Sequence, residues 1–220
     1  MIEDFISLIP KRALPLSGKV FYSGRQAFSA PSPVYLLGLN PGGAPDAMAD
    51  ETVQAHTEAV LRKFPSSWSA YADESWKGRP PGRSGLQPRV LHLLKRLGLD
   101  ARSVPSSNAV FARSTRESTF IGPMAEMGVD AWPFHQRVIE QLGVRVVVCF
   151  GQAAGGWISE RLGASAPSGE FVETNDRRWR SFAMTNRSGV SVATLTHPSI
   201  ADWTKPATDP SGLIQALLAS

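Results

Sequence analysis

Short apolar runs alternating with helically spaced segments predict an α/β fold, a three-layer α/β/α arrangement around a central, mostly parallel four-stranded sheet. Two observations carry this reading. Val34 to Leu39 and Val144 to Phe150 are continuous apolar runs, stopped by Asn40-Pro41-Gly42-Gly43 and by Gly151, as expected of strands buried on both faces. Around them lie segments with apolar residues three and four apart, the spacing of amphipathic helices. At 220 residues the chain suits one domain spanning residues 1–220.

In chain order, Asp46 to Phe64 is expected to be helical with Asp46 as its N-cap. Residues 65–85 are rich in Pro, Gly, Ser and Trp and read as a long surface loop, a feature that is often functional in a small domain. Gln87 to Leu97 is a helix with Val90, Leu91, Leu94 and Leu97 on one face, and Gly98 is its stop. Asn108 to Ala112 reads as a second strand and Trp132 to Leu142 as a helix. Gly151-Gln152-Ala153-Ala154 opens a helix that ends near Leu162. Arg178 to Met184 and Ser191 to Leu195 are shorter strands joined through a turn at Asn186-Arg187-Ser188-Gly189, and Ser211 to Leu218 is a closing helix. In an open, mostly parallel sheet ligands bind beyond the carboxyl ends of the strands. That singles out Asn40 to Gly43, Asn108 to Arg113 and Thr196 to Ile200.

Composition narrows the class of function. Apolar residues make up 42% and charged residues 19%, ordinary for a globular protein. A net charge of +4 and a pI near 9.5 are compatible with a polyanionic partner. The one cysteine, Cys149, lies inside an apolar run and reads as a small buried strand residue. It rules out an internal disulfide and a cysteine-bound metal or iron–sulfur cluster, so no cofactor is expected. The first sixteen residues mix charges among apolar side chains and read as no signal peptide, and no apolar stretch is long enough to span a bilayer. A cytoplasmic monomer without a membrane partner is the expectation.

The chemistry-bearing residues gather at the three strand ends: Gly38-Leu39-Asn40-Pro41-Gly42, Ser107-Asn108 and His197-Pro198-Ser199. Singly, each is a common turn or strand-end sequence. Together and in this order they resemble the uracil-DNA glycosylase superfamily. Gly38-Leu39-Asn40-Pro41-Gly42 is similar to the first motif of its mismatch-specific and single-strand-selective members, and His197-Pro198-Ser199 to its second motif. Gly82-Arg83-Ser84-Gly85 with the helix after it, and Val146 to Ala154, look like segments of its iron–sulfur members. The resemblance spans roughly residues 34–200.

It implies excision of uracil or another deaminated or damaged base from DNA. Asn40 and His197 would be the catalytic residues: Asn40 orients a water toward the anomeric carbon, and His197 donates a hydrogen bond to the departing base. Gly38, Leu39, Pro41, Gly42 and Gly43 would shape the base site, with glycine allowing close backbone approach, and Asn108 would read the base edge. The resemblance also calls for an aromatic ring stacked on the base. The corresponding position falls near Pro80 or Pro81, which leaves Trp76, or else Trp68 or Tyr71, to supply it. After His-Pro-Ser these families carry a wedge that fills the gap left by the base. Their wedge position matches Ala201, so Ile200 or Trp203 is the candidate here. Arg79, Arg83, Arg113, Ser199 and Lys205 would contact phosphate, and Arg116, Arg177, Arg178 and Arg180 are further basic candidates.

Two other readings remain open on the same residues. One is a non-catalytic binder of damaged or mismatched DNA. The other is an unrelated α/β enzyme for a small nucleotide, with Asn40 to Gly43 as an anion nest; the lysine of a P-loop and the Rossmann glycine pattern are both absent.

Overall fold

The sheet is built outward from three strands buried along their whole length: β1 (Val34–Gly38), β3 (Val146–Phe150) and β6 (Ser191–Leu195). With β2 (Ser106–Asn108) they form four parallel strands in the order β2-β1-β3-β6. The computed structural model describes residues 2–114 and 122–220. The sheet has six strands rather than the expected four. Antiparallel β5 (Arg180–Thr185) pairs with β6, and β4 (Ala166–Val172) pairs with β5 as the edge. β4 has the sequence Ala-Pro-Ser-Gly-Glu-Phe-Val, is largely exposed, and is irregular between Pro167 and Gly169. Proline and a bulge are tolerated only at such an edge, and an exposed edge strand carries no apolar run to betray it.

Side chains alternate between two buried clusters, as the two-residue period of a strand requires. Tyr35, Leu37, Val147, Cys149 and Val192 face one side. There they meet residues of α1 (Ile2–Ile6), α2 (Val53–Arg62), α4 (Pro123–Gln141) and α5 (Gln152–Leu162). Val34, Leu36, Val146, Val148, Phe150, Ala193 and Leu195 face the other, against α3 (Gln87–Arg96) and α6 (Ser211–Ala219). Helices therefore cover both faces. Among the described residues no helix is long and apolar enough to cross a membrane.

Several boundaries differ from the sequence reading, each for a local reason. The expected helix from Asp46 is a short 3-10 turn, Asp46–Met48. The helix proper begins after Thr52, whose hydroxyl accepts a hydrogen bond from Ala55 N at 3.1 Å and is the true cap. α4 starts nine residues before Trp132, at Pro123 (an N-terminal proline fits a helix start), and runs through Pro133; burial of Ala131, Phe134 and Val138 overrides the local penalty. The second strand is Ser106–Asn108, just ahead of the apolar stretch expected to form it. Its serines are buried but satisfied: Ser107 Oγ donates to Val20 O at 2.6 Å and Ser106 Oγ to Tyr71 Oη at 3.2 Å.

Two buried histidines make stability pH-dependent. His135 has its Nδ1 2.8 Å from Tyr35 Oη and its Nε2 3.3 Å from Ala109 O. His56 is buried beside Phe64 and Trp68, with no hydrogen-bond partner for either ring nitrogen among the described residues. Burial pushes both down to about 3; for His56 the charges of Lys19 and Arg113 add to it. The unfolded chain, with histidine near 6.5, binds these protons first. Each imidazole therefore contributes its full stabilisation above about pH 6.5 and loses about 1.4 kcal/mol per pH unit as the pH falls from there toward 3. Urea denaturation from pH 7 to 4 should show this slope. His56→Leu should reduce it by about one proton's worth; an unchanged slope in that variant would refute the assignment.

Candidate functional site

Strand register brings the expected residues to one edge of the sheet. Gly38 stands opposite Asn108, Leu37 opposite Cys149, and Phe150 opposite Leu195. The carboxyl ends of β2, β1, β3 and β6 are therefore level, and the loops carrying Asn40 and His197 leave from strands two places apart, about 10 Å by strand spacing. Phe150 lies between them. Its ring is 6.5 Å from that of His197, nearly perpendicular to it, and 6.4 Å from Tyr71.

Gly38 is required by its neighbour. A Cβ there would lie 2.2 Å from Asn108 Oδ1, so the absent side chain is the space that the Asn108 amide occupies. Asn108 is buried, faces the hydroxyl of Tyr22, and has no partner for Nδ2 among the described residues. A buried amide donor left unpaired is costly unless a ligand completes it.

The 38–43 loop is held by its carbonyls. Gly38 O and Leu39 O accept from Ala109 N and Val110 N, both at 2.9 Å; Pro41 O accepts from Ser114 N at 3.4 Å; Gly42 O accepts from Arg113 Nη1. Among the described residues no acceptor takes the backbone N–H of Asn40, Gly42 or Gly43. Gly43 has φ 111° and a Cβ there would sit 2.9 Å from Met48 Sδ, whereas a Cβ at Gly42 would meet open space. Asn40 is half-buried; its Nδ2 donates to Pro41 O at 3.1 Å, and among the described residues no donor reaches Oδ1.

His197 is oriented by the next turn. Its Nδ1 lies 2.7 Å from Ser199 Oγ and accepts from Ser199 N at 3.0 Å. A nitrogen that accepts an amide hydrogen carries none of its own, so the ring hydrogen is on Nε2. Both donors of Ser199 thus serve His197 instead of pointing outward to phosphate. His197 O accepts from Ile200 N at 3.0 Å and Ala201 N at 3.1 Å, which closes the turn.

Other expected contacts are redistributed. Arg113 is buried, not a surface cation: its fork reaches Gly42 O, Glu51 and Ser17 Oγ, so it braces the loop from within. Trp203 is 1% exposed, donates Nε1 to Thr196 O at 3.1 Å and packs on Phe150, which removes it as a wedge. Ala201 is fully buried, whereas Ile200 is 56% exposed. Trp68 and Tyr71 are buried in opposite clusters, while Trp76 is half-buried, edge-on to Tyr71 at 6.0 Å. Arg79, Arg83 and Lys205 are exposed, and the charge of Lys205 acts on Asp202. Arg180 pairs with Glu170, Arg177 with Glu173, and Arg178 is exposed; Arg116 lies outside the described residues.

The sequence reading missed an N-terminal contribution. Lys19 is buried with Nζ 2.7 Å from Glu74 and 3.2 Å from Glu51, and Glu51 also binds Arg113. Burial works against the lysine's charge, but Glu74 and Glu51 outweigh it and hold Lys19 above the usual lysine range. Three residues on, half-buried Tyr22 lies 5.9 Å from Tyr71, and burial raises its hydroxyl's pKa. A Lys-Val-Phe-Tyr segment has no signal that would reveal this; the isolated bridge of Gly18 to Ala112 brings it alongside. Two surface clefts, of about 170 Å³ near Arg12 and Met127 and about 460 Å³ near Gly163 and Asn186, are lined by none of Asn40, Asn108 or His197. Among the described residues no group of three or more His, Cys, Asp or Glu is arranged to hold a metal ion.

Gly38→Ala should force the Asn108 amide out of its place and destabilise the protein by about 1–3 kcal/mol, as overpacking does. Gly42→Ala should leave the unfolding midpoint unchanged. Thermal denaturation of the two variants checks this; equal midpoints would contradict the close packing at residue 38. Compared with models of known protein families and with the sequences of characterised proteins, the chain matches none.

Proposed function

We propose that the chain is a DNA glycosylase that hydrolyses the N-glycosidic bond of uracil or another deaminated base extruded from DNA. The observation that carries the reading is the level edge of the sheet. It holds a buried amide donor on Asn108 and an amide oxygen on Asn40 that have no partner among the described residues, and a histidine whose ring hydrogen is on Nε2.

In this reading the bond from the base to the anomeric carbon breaks with its electron pair leaving on the base. Asn40 Oδ1 holds a water against the sugar cation, and the water's oxygen bonds to that carbon while its proton passes through solvent to the departed base anion. His197 Nε2–H donates to the base carbonyl as negative charge grows there; a neutral imidazole does this without burying a cation. Asn108 Nδ2 selects a carbonyl on the base edge and rejects an amino group, which would bring two donors together. The N–H groups at Gly42 and Gly43, which have no acceptor among the described residues, suit a carbonyl or phosphate oxygen. Arg79, Arg83 and Lys205 are the proposed phosphate contacts, Ile200 the wedge, and Trp76 or Tyr22 the ring beside the base. The three-layer arrangement of the wider superfamily, a monomeric state and a cytoplasmic location belong to the same proposal.

The test is single-turnover excision from single- and double-stranded oligonucleotides carrying uracil, hypoxanthine or xanthine. The wild type should release at least one of these bases. Asn40→Ala should abolish release with DNA affinity nearly intact, and His197→Ala should slow it about 10²–10³-fold. If DNA binds with a steep salt dependence but no base is released, the chain is a binder, not an enzyme. If DNA does not bind while a nucleotide does, the amides at Gly42 and Gly43 serve a small anion instead.

A further inference from the structure

We infer that Glu173 and Arg177 are positioning residues that hold the exposed Ile200 at the tip of the His197 loop. The inference rests on the proposed excision reaction and on a pattern in how that loop is held.

The loop from Thr196 to Asp202 contains no helix or strand, yet its alternate carbonyls all accept from side chains. Thr196 O accepts from Trp203 Nε1 at 3.1 Å, Pro198 O from Arg89 Nη1, Ile200 O from Arg177 Nη1 at 2.8 Å, and Asp202 O from Thr208 Oγ1. These donors come from α3, from the β4–β5 connection and from the segment after the loop, so the loop is gripped from separate sides. Arg89 is itself anchored, its Nε 3.6 Å from Asp202.

Arg177 is held more firmly. Its guanidinium lies over the Trp179 ring at 4.1 Å, and its Nη2 is 3.0 Å from Glu173 Oε2, which also accepts from Asn175 Nδ2 at 2.9 Å. Glu173 is 1% exposed, and its Oε1 is buried without a hydrogen-bond partner among the described residues. An under-satisfied buried carboxylate is a poor stabiliser of a fold. Within this structure it orients one arginine, and that arginine's remaining bond goes to the backbone of Ile200. Ile200 itself is 56% exposed and buries no core. A side chain that must enter a base stack needs a backbone that does not yield; an ordinary surface isoleucine needs no such support. His197 is held separately, through Ser199 and its own carbonyl, so the Glu173–Arg177 pair acts on the tip of the loop and not on the imidazole.

The experiment uses Glu173→Gln and Arg177→Lys in the full chain. Both should lower single-turnover excision from double-stranded DNA by about tenfold or more, in keeping with the sensitivity of such steps to misplacement. Excision from single-stranded DNA, where no stack resists, should be unchanged. Arg177→Lys keeps the charge and loses the fork, so a plain phosphate contact would survive it. Amide hydrogen exchange across residues 197–203 should quicken in both variants with the global unfolding midpoint retained. Equal losses on the two DNA forms, or unchanged exchange in the loop, would overturn the inference. A wild-type chain that excises from neither DNA form overturns the proposed reaction instead; the exchange measurement then still decides whether Glu173 and Arg177 hold the loop.

Discussion

The candidate site depends on an absence of atoms. Where β1 and β2 run level, Gly38 has no side chain, and the Asn108 amide fills that volume. A methyl group at residue 38 would meet the amide oxygen far inside van der Waals contact, so the first strand end and the base-reading candidate are one packing unit. The next residues extend the coupling: the backbone N–H groups of residues 109, 110 and 114 and the Arg113 side chain take the carbonyls of residues 38, 39, 41 and 42. With those carbonyls drawn toward the 109–114 segment, the N–H groups at Asn40, Gly42 and Gly43 have no acceptor among the described residues.

Behind this surface runs a chain of charge from buried Arg113 through half-buried Glu51 and buried Lys19 to half-buried Glu74. Two cations and two carboxylates leave it neutral, the condition under which charges are tolerated inside a protein. Removing either carboxylate would leave buried Lys19 or Arg113 short of a counter-charge and destabilise the fold. The chain ties the Gly42 loop at one end to the surroundings of Tyr22 and Asn108 at the other, so the two halves of the site share one electrostatic support. The same cations help to keep His56 uncharged. On the far side of Phe150, His197 is oriented by neutral turn hydrogen bonds, an arrangement suited to a donor that carries no net charge.

Much of this was legible in the amino-acid chain. β1, β3 and β6 declare themselves because strands buried on both faces must be apolar throughout, and the glycines at 98 and 163 mark helix ends where only a left-handed residue fits. β4 was hidden because an exposed edge has no pattern to enforce. The polar triplet Ser106-Ser107-Asn108 was hidden because its burial depends on Val20 and Tyr71, acceptors distant along the chain. α4 extends past its apparent start because burial of its apolar face outweighs Gly128 and Pro133.

By itself the sequence determined the α/β class, the apolar central strands and the three loops in which polar residues gather, since periodicity and turn chemistry are local. Tertiary structure alone decided which cations are braces and which are unengaged, burying Arg113 and pairing the exposed Arg177 with buried Glu173 while leaving Arg79 and Arg83 outside. It also chose Ile200 over Trp203 as the exposed apolar side chain of the His197 loop, and brought Lys19 and Tyr22 to the site. Those outcomes turn on burial and on partners far away in the chain, and neither is encoded in any short stretch of residues.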